Sequence, residues 1–495
     1  MRLSISAGVA DLIQDALALY ADDPAAMAAL EGYARRLSEP LRIAVAGMVK
    51  AGKSTLLNAI IGEEIAPTDI GECTRIVTWY RYGYTPRITA YPKAGEPYAL
   101  PLKRMDGRLV FVLGSVRAEE VERLVVEWPS QALREMTLID TPGIASLSED
   151  VAARSTNFLI PADAPSEADA IIYLMRHMHA SDLRFLESFR DTEAGRSGTV
   201  NALAVLSRAD EIGAGRIDSL LSAGDIAERY GRDHSLRKLA MGVVPVAGLL
   251  AQSARSMRQS DFKSLQFLAD LERPARERML LSADRFIRAT IPEHLSAEAR
   301  ASLLERFGLF GIRLGVVLIR SGFTEPTPLA HELARRSGLD PLLQLVHRQF
   351  QARAAALKAR TALVGVETLL RTAPREGSGR LAVTLERLQA NAHELRELRL
   401  LATIRTTGVA FSAELAAEAE RLVGGLGAAP ALRMGLGPDA APEEVMAEAR
   451  HYLNRWRTVS EHPLTERDAV EACRVVMRSC EGVVAECSAL QEQSA

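Results

Sequence analysis

Residues Gly47 to Thr55 read GMVKAGKST and follow the run Leu41-Arg42-Ile43-Ala44-Val45-Ala46, apolar except for Arg42. An apolar strand, a glycine-rich turn and then a helix-forming stretch is the arrangement a phosphate-binding loop requires. Gly47 and Gly52 let the backbone fold tightly enough for successive N–H groups, through Ala51 to Thr55, to point at phosphate oxygens. The helix that follows adds its positive N-terminal end. Lys53 is placed to reach the terminal phosphates, and the Ser54 hydroxyl to ligate Mg²⁺. The stretch implies a nucleoside triphosphate ligand and an α/β P-loop domain, a mostly parallel sheet flanked by helices.

A chain of 495 residues is too long for one ordinary domain. Apolar residues make up 48% and aromatic residues only 5%, with many Ala and Leu, which points to a helix-rich protein. The formal charge of −3 gives no basic footprint, so no nucleic-acid partner is expected. No uninterrupted apolar core follows Arg2 before Asp11, so no secretory signal is read there. The longest apolar stretch, Phe307 to Phe323 (FGLFGIRLGVVLIRSGF), is short for a bilayer and carries Arg313 and Arg320. It reads as a buried helix, with a membrane-contacting segment as the alternative. A cytoplasmic location is expected. Cys473, Cys480 and Cys487 recur every seven residues, with Val476, Val483 and Leu490 between them. At 1.5 Å per residue their sulfurs stand about 10 Å apart along a helix, too far to share a metal ion or a disulfide. They read as small core residues of a heptad-like seam, while Cys73 stands alone.

The stretches from Ala7 to Tyr20 and from Pro24 to Leu37 look helical, ending before Pro40. From Leu41 to about Phe350 strands and helices alternate. Strand candidates are Ile76–Tyr82, Leu109–Leu113, Leu124–Trp128, Met136–Ile139, Ala170–Leu174, Ala202–Leu206 and Val243–Val246. Beyond Phe350 the strand signals stop. Leu381, Leu385, Leu388, Ala392 and Leu395 fit one bundle helix, and Pro374–Gly379 and Gly424–Pro442 are breaks, leaving three or four helices. The implied division is N-terminal helices over 1–39 that join a neck bundle, a nucleotide domain over 40–350, and a helical neck or stalk over 351–495.

Two further motifs narrow the nucleotide. Asp140-Thr141-Pro142-Gly143 follows the apolar Met136-Thr137-Leu138-Ile139. A carboxylate at that strand end can hold Mg²⁺ through a water, and Gly143 can offer its N–H to the γ-phosphate. Ser207-Arg208-Ala209-Asp210 follows the strand Ala202–Leu206 and is similar to the guanine-specifying Asn/Thr-Lys-x-Asp pattern. Asp210 can accept two hydrogen bonds from the guanine N1–H and amino group, a donor pair adenine lacks. The Arg208 stem and guanidinium can lie across the base, and Ser207 replaces the usual Asn or Thr. Guanine is favoured over adenine. Val246-Ala247-Gly248 falls where a last base-contacting loop would, on a weak signal.

Together GMVKAGKSTLLNAIIG, CTRIVTWYRYG, LIDTPG and LSRADEIGAGRID resemble the bacterial dynamin-like GTPases, and the similarity extends to LLERFGLFGIRLG and RSGLDPLLQLVHRQF. That resemblance implies GTP/GDP and Mg as ligands. It makes Thr74 the switch threonine closing over Mg²⁺ and the γ-phosphate, with Thr78 as the competing choice. The long separation of the P-loop from Asp140 leaves room for extra strands around Pro86–Trp128. Ile144, after Gly143, cannot orient water. Relatives use a polar P-loop side chain and a bound monovalent cation, assembled by dimerisation across the nucleotide. Val49 and Lys50 occupy the matching positions here. Either the Lys50 ammonium takes the cation's place, or it is a solvated surface charge. No general base is identifiable, so turnover is expected to be slow.

The resemblance also implies a nucleotide-dependent homodimer and remodelling or repair of the cytoplasmic membrane under envelope stress. It further implies peripheral contact with the inner face of that membrane and a longer dynamin-like paralogue as partner. The residues after Phe350 suffice for a neck but not for a long trunk with a lipid-binding tip, since helices of about 35 residues reach only about 50 Å. The segment Val423 to Gly437 (VGGLGAAPALRMGLG) reads either as a membrane-dipping loop or as a disordered linker. Two rival functions remain: a regulatory GTP-binding partner that never touches lipid, and an Era-like RNA GTPase. The latter needs a basic appendage with a GxxG clamp, which an Ala/Leu/Glu-rich bundle does not supply.

Overall fold

A computed structural model describes residues 5–66, 76–105, 108–111, 117–143, 158–159, 161, 165–191, 201–290 and 295–494. Its strands are β1 (Leu41–Gly47), β2 (Val77–Tyr82), β3 (Arg87–Pro92), β4 (Tyr98–Leu100), β5 (Leu102–Met105), β6 (Arg108–Phe111), β7 (Val121–Trp128), β8 (Met136–Asp140), β9 (Ala170–Met175), β10 (Ala202–Ser207) and β11 (Val243–Val246). One sheet takes nine of them in the order β11-β10-β9-β1-β8-β2-β7-β3-β4, and β5 pairs with β6 apart from it. From β11 to β8 all neighbours are parallel. β2 then reverses the direction against β8. The parallel strands are covered on both faces, which is why their sequences are continuous apolar runs. Ile43, Ala44, Val45 and Ala46 are all buried, as is the whole of β9 and β10. Their C-terminal ends share one sheet edge, where ligands of open α/β sheets bind.

The structure departs from the sequence pattern in four places. The strand expected over Leu109–Leu113 is β6, in the detached hairpin rather than the main sheet. Strand–helix alternation ends at β11, not near Phe350. Between Gly248 and Gln349 every regular element is helical among the described residues, because the apolar residues there recur every three or four positions. The expected single helix through Leu381 and Leu395 is two, Ser378–Asn391 and His393–Thr406, separated by an extended Ala392 (φ −68°, ψ 113°). Leu381, Leu385 and Leu395 nevertheless stay buried, with Leu388 half-buried against the same core. Five further helices, Ala354–Thr372, Ala413–Leu422, Pro430–Met434, Pro442–Glu461 and Arg467–Ser494, exceed the three or four expected.

The stretch Phe307 to Phe323 lies largely within the helix Ala297–Arg320, interrupted at Gly308 (φ +63°), with Phe307, Phe310, Ile312 and Leu314 buried. Arg313 turns inward and donates to the carbonyls of Gly215 and Leu280, each at 2.6 Å. No helix is long and apolar enough to cross a membrane, among the described residues. The glycine-rich segment Val423 to Gly437 is neither free linker nor protruding loop. Gln349 donates to the Gly425 carbonyl at 2.9 Å, Arg353 to those of Val423 and Gly424, and Val423 and Met434 are buried. Cys473, Cys480 and Cys487 are buried free thiols in the last helix. Burial pushes Cys473 to about 11 and Cys480 to about 12. Cys73 lies outside the described residues.

The first two helices, Ile5–Leu19 and Pro24–Ser38, pack on the helix Ala354–Thr372. This helical assembly grips the N-terminal ends of the parallel strands by buried polar contacts. Arg36 donates to Asp169 Oδ1 at 2.8 Å, while Asp169 Oδ2 accepts the Arg42 N–H of β1 at 2.8 Å. Arg405 donates to the Ala240 carbonyl ahead of β11 and to Glu420, both at 2.7 Å. The opposite sheet edge is left open for a ligand.

Candidate functional site

The phosphate end of the site is built where β1 passes into the helix Lys53–Ile61. Gly47 has φ +147°, and a Cβ there would lie 2.4 Å from the Leu174 carbonyl oxygen, so only glycine fits. Gly52 (φ +95°) starts the helix in the left-handed region. Lys53 Nζ donates to the carbonyls of Gly47 at 3.2 Å and Met48 at 3.3 Å, closing the loop on itself. Ser54 Oγ donates to Asp140 Oδ2 at 2.9 Å. Asp140 Oδ1 is buried with no hydrogen-bond partner among the described residues. Burial pushes the Asp140 carboxyl up to about 6, against the pull of the Lys53 charge and the Ser54 hydroxyl. Burial also draws the Lys53 ammonium down, with Asp140 opposing. An orphaned carboxylate oxygen beside a hydroxyl at a helix start is a hard-oxygen donor set, and it fits Mg²⁺ held partly through water.

Gly143 sits directly against the P-loop, since a Cβ on it would meet Val49 Cγ2 at 2.5 Å. Thr141 Oγ1 donates to the Val45 carbonyl at 2.9 Å and fixes the chain between them. Val49 and Lys50 are exposed at the loop tip, and Lys50 holds φ +62°, unusual for a residue with a side chain. Thr78 is a buried residue of β2, registered opposite Asp140, with its hydroxyl donating to the Ile76 carbonyl at 3.3 Å. Thr74 and Ile144 lie outside the described residues.

A cavity of about 240 Å³ runs from Ala51, Gly52 and Thr55 to Ser207, Arg208 and Asp210, so the first and third motifs share one space. Leu174, Val205 and Leu249 supply apolar walls. Val246 and Gly248 also line it, which places the weakly signalled Val246-Ala247-Gly248 loop at the site. Ser207 Oγ donates to the Met175 carbonyl at 3.2 Å and ties the ends of β10 and β9 together. Arg208 adopts φ +53° and donates from Nη1 to Glu211 Oε1 at 2.7 Å. Burial pushes the Asp210 carboxyl up, and the neighbouring Glu211 charge adds to that while Arg208 opposes it. Glu211 also lines the cavity and was not among the residues expected there. The available signal for Glu211 was an acidic residue three positions after a basic one in a turn.

A P-loop helix start bonded to a carboxylate at the end of β8, and a third motif at the end of β10 that shares a cavity with the P-loop, define a P-loop nucleotide-binding protein. The family model described as Dynamin family matches residues 43–205. The chain is similar to isoniazid-induced protein IniC of Mycobacterium tuberculosis, with 41% identity over 463 residues, 93% of either chain. It is 28% identical over 212 residues to a bacterial dynamin-like protein of Nostoc punctiforme, covering 40% of this chain and 28% of that one. It is also 31% identical over 137 residues to isoniazid-induced protein IniA of M. tuberculosis, covering 26% of this chain and 21% of IniA. The chain belongs to the dynamin family of GTPases.

Proposed function

We propose that this chain binds GTP with Mg²⁺ and hydrolyses it slowly. In this proposal the cycle drives dimerisation across the nucleotide face and remodelling or repair of the cytoplasmic membrane under envelope stress. The observation that carries the nucleotide reading is the shared cavity, in which the P-loop residues Ala51, Gly52 and Thr55 face one space with Asp210. In this reading Gly47, Ala51, Gly52, Lys53, Ser54 and Thr55 cradle the phosphates. Ser54 and Asp140 hold Mg²⁺ together with Thr74, and Gly143 meets the γ-phosphate. Ser207, Arg208 and Asp210 take the guanine. Mg²⁺ would neutralise charge developing on the β- and γ-phosphate oxygens. Lys50 would add a second positive charge there. The left-handed backbone that holds it supports this role, since such strain persists where surroundings or function demand it.

The chain works as a nucleotide head over 40–350 on a neck formed by 1–39 and 351–495, from a cytoplasmic position peripheral to the membrane. The name of the relative IniC records induction by isoniazid, which supports a stress setting. The similarity to IniA, of which the match covers only 21%, supports a longer dynamin-like partner. A second reading is a regulatory GTP-binding partner of such a paralogue without direct lipid action. It is favoured by the glycine-rich Val423 to Gly437 segment, which is held by Gln349 and Arg353 with Val423 and Met434 buried, although Leu426 is exposed. GTP turnover measured with and without anionic liposomes, with ATP as control, separates the two. Stimulation by lipid supports membrane remodelling, lipid-independent GTP turnover supports the regulatory partner, and a preference for ATP overturns the guanine reading.

A further inference from the structure

At the open sheet edge two arginines share one carboxylate. Arg208 directly follows β10 and Arg176 directly follows β9. Glu211, in the turn Ala209–Ala214, accepts Arg208 Nη1 on Oε1 at 2.7 Å and Arg176 Nη2 on Oε2 at 2.8 Å. Each oxygen therefore takes a different guanidinium. The turn itself is closed by the Glu211 N–H donating to the Arg208 carbonyl at 2.9 Å. Arg208, Asp210 and Glu211 all line the same cavity.

The identity of residue 208 makes this bridge consequential. A lysine covers a base with its methylene stem and needs no fixed head-group orientation. A guanidinium is planar, and its orientation decides whether it lies across a base or stands edge-on to it. At the mouth of a pocket that also takes phosphates, an unrestrained guanidinium would be drawn toward them as a bidentate donor. The three side chains are each 38–52% exposed, so the two ion pairs add little to fold stability. Their effect is on where the Arg208 head group stands.

We propose that Glu211 is a positioning residue for base recognition: tethered by Arg176, it holds the Arg208 guanidinium across the guanine end of the cavity. The inference rests on the proposed GTP reading of that cavity. Arg176 and Glu211 thus become specificity-determining residues of the pocket rim, outside the third motif.

The test is a double-mutant cycle on the full chain, read as Kd for GTP and ATP and as KM against kcat for GTP. E211A is expected to weaken GTP binding about 3- to 10-fold, through KM, with kcat changed by less than about twofold and ATP binding unmoved. E211Q, which keeps the shape and loses the charge, falls between E211A and the parent chain, and R176A costs less than E211A. In an R208K background E211A has no further effect, because a lysine needs no orienting carboxylate. Unchanged GTP affinity in both E211A and E211Q, in a chain that itself prefers GTP, overturns the role of Glu211. So does a full additive cost of E211A on top of R208K. Equal affinity of the parent chain for GTP and ATP overturns the guanine reading, and the inference with it.

Discussion

The two ends of the nucleotide cavity satisfy their polar groups in opposite ways. At the base end, Ser207, Arg208, Glu211 and Arg176 are bonded to one another or to strand carbonyls, so that rim is organised before a ligand arrives. At the phosphate end, Lys53 folds back on loop carbonyls, Ser54 occupies one Asp140 oxygen and the other has no partner among the described residues. Burial weakens the charge on both Lys53 and Asp140. The phosphate end is thus held in a compromise that a triphosphate and a divalent cation would replace with stronger contacts. Affinity should come chiefly from that end and discrimination from the pre-organised one.

The largest effect that sharpens this contrast is expected at Lys53. K53M keeps the stem and removes the charge-assisted contact, so triphosphate affinity should fall by about 100-fold or more. Thermal stability without nucleotide should change little, because the lost contacts with two loop carbonyls and with the Asp140 charge are offset by no longer burying an ammonium. Calorimetric binding and a melting curve check both. Retained affinity would place the phosphates elsewhere.

Asp140 gives the next effect, and its sign follows from linkage. The folded carboxyl titrates near 6 against an ordinary 3.8, so the folded state binds the proton more tightly than the unfolded state. The nucleotide-free protein is therefore favoured by this group below pH 3.8 and loses that contribution as pH rises through about 6. The full swing is at most ~3 kcal/mol. D140N should melt higher than the parent at pH 7.5, with the gap closing toward pH 4, while its Mg²⁺-dependent GTP binding collapses. A cation at the site favours the ionised form, so Mg·GTP binding by the parent below about pH 6 should release a proton. Proton counting in two buffers of different ionisation enthalpy tests it, and zero release would remove Asp140 from the metal site.

The base end predicts a selective loss. D210A should weaken GTP binding about 10- to 100-fold by removing an acceptor for two donors, and leave ATP binding nearly unchanged. Competition of the two nucleotides for one fluorescent analogue reads this directly. Equal losses for both would mean that Asp210 organises the loop and does not read the base.

These predictions fall on residues that differ in how visible they were in the chain. Lys53, Ser54, Asp140 and Asp210 follow continuous apolar runs, each buried by the parallel sheet, so strand and motif could be read together. Glu211 and Arg176 acquire their role only because β9 and β10 are neighbours, a fact of sheet order that local sequence does not carry. The bundle was legible as helical but not as seven helices after Phe350. The leucine spacing across Ala392 continues unbroken, while the backbone does not. The glycine-rich Val423 to Gly437 segment is ordered by Gln349 and Arg353 from a distant part of the chain, so local composition suggested a linker.

Lys50 lies on the exposed tip of the phosphate end, and its effect should be the smallest. Its φ of +62° is one that glycine adopts freely and that costs a side-chain-bearing residue about 1 kcal/mol. If the ammonium assists phosphoryl transfer, K50A and K50G should both slow GTP turnover about fivefold, with Kd for GTP moved by less than about twofold. Only K50G should raise the melting temperature, because only glycine relieves the backbone. Added potassium should restore part of the turnover in either variant by placing a cation where the ammonium stood. Unchanged turnover with no potassium dependence would leave Lys50 as a solvated charge on a strained turn. The melting shift of K50G would then measure that strain alone, and all of the charge acting on the phosphates would belong to Lys53 and the metal.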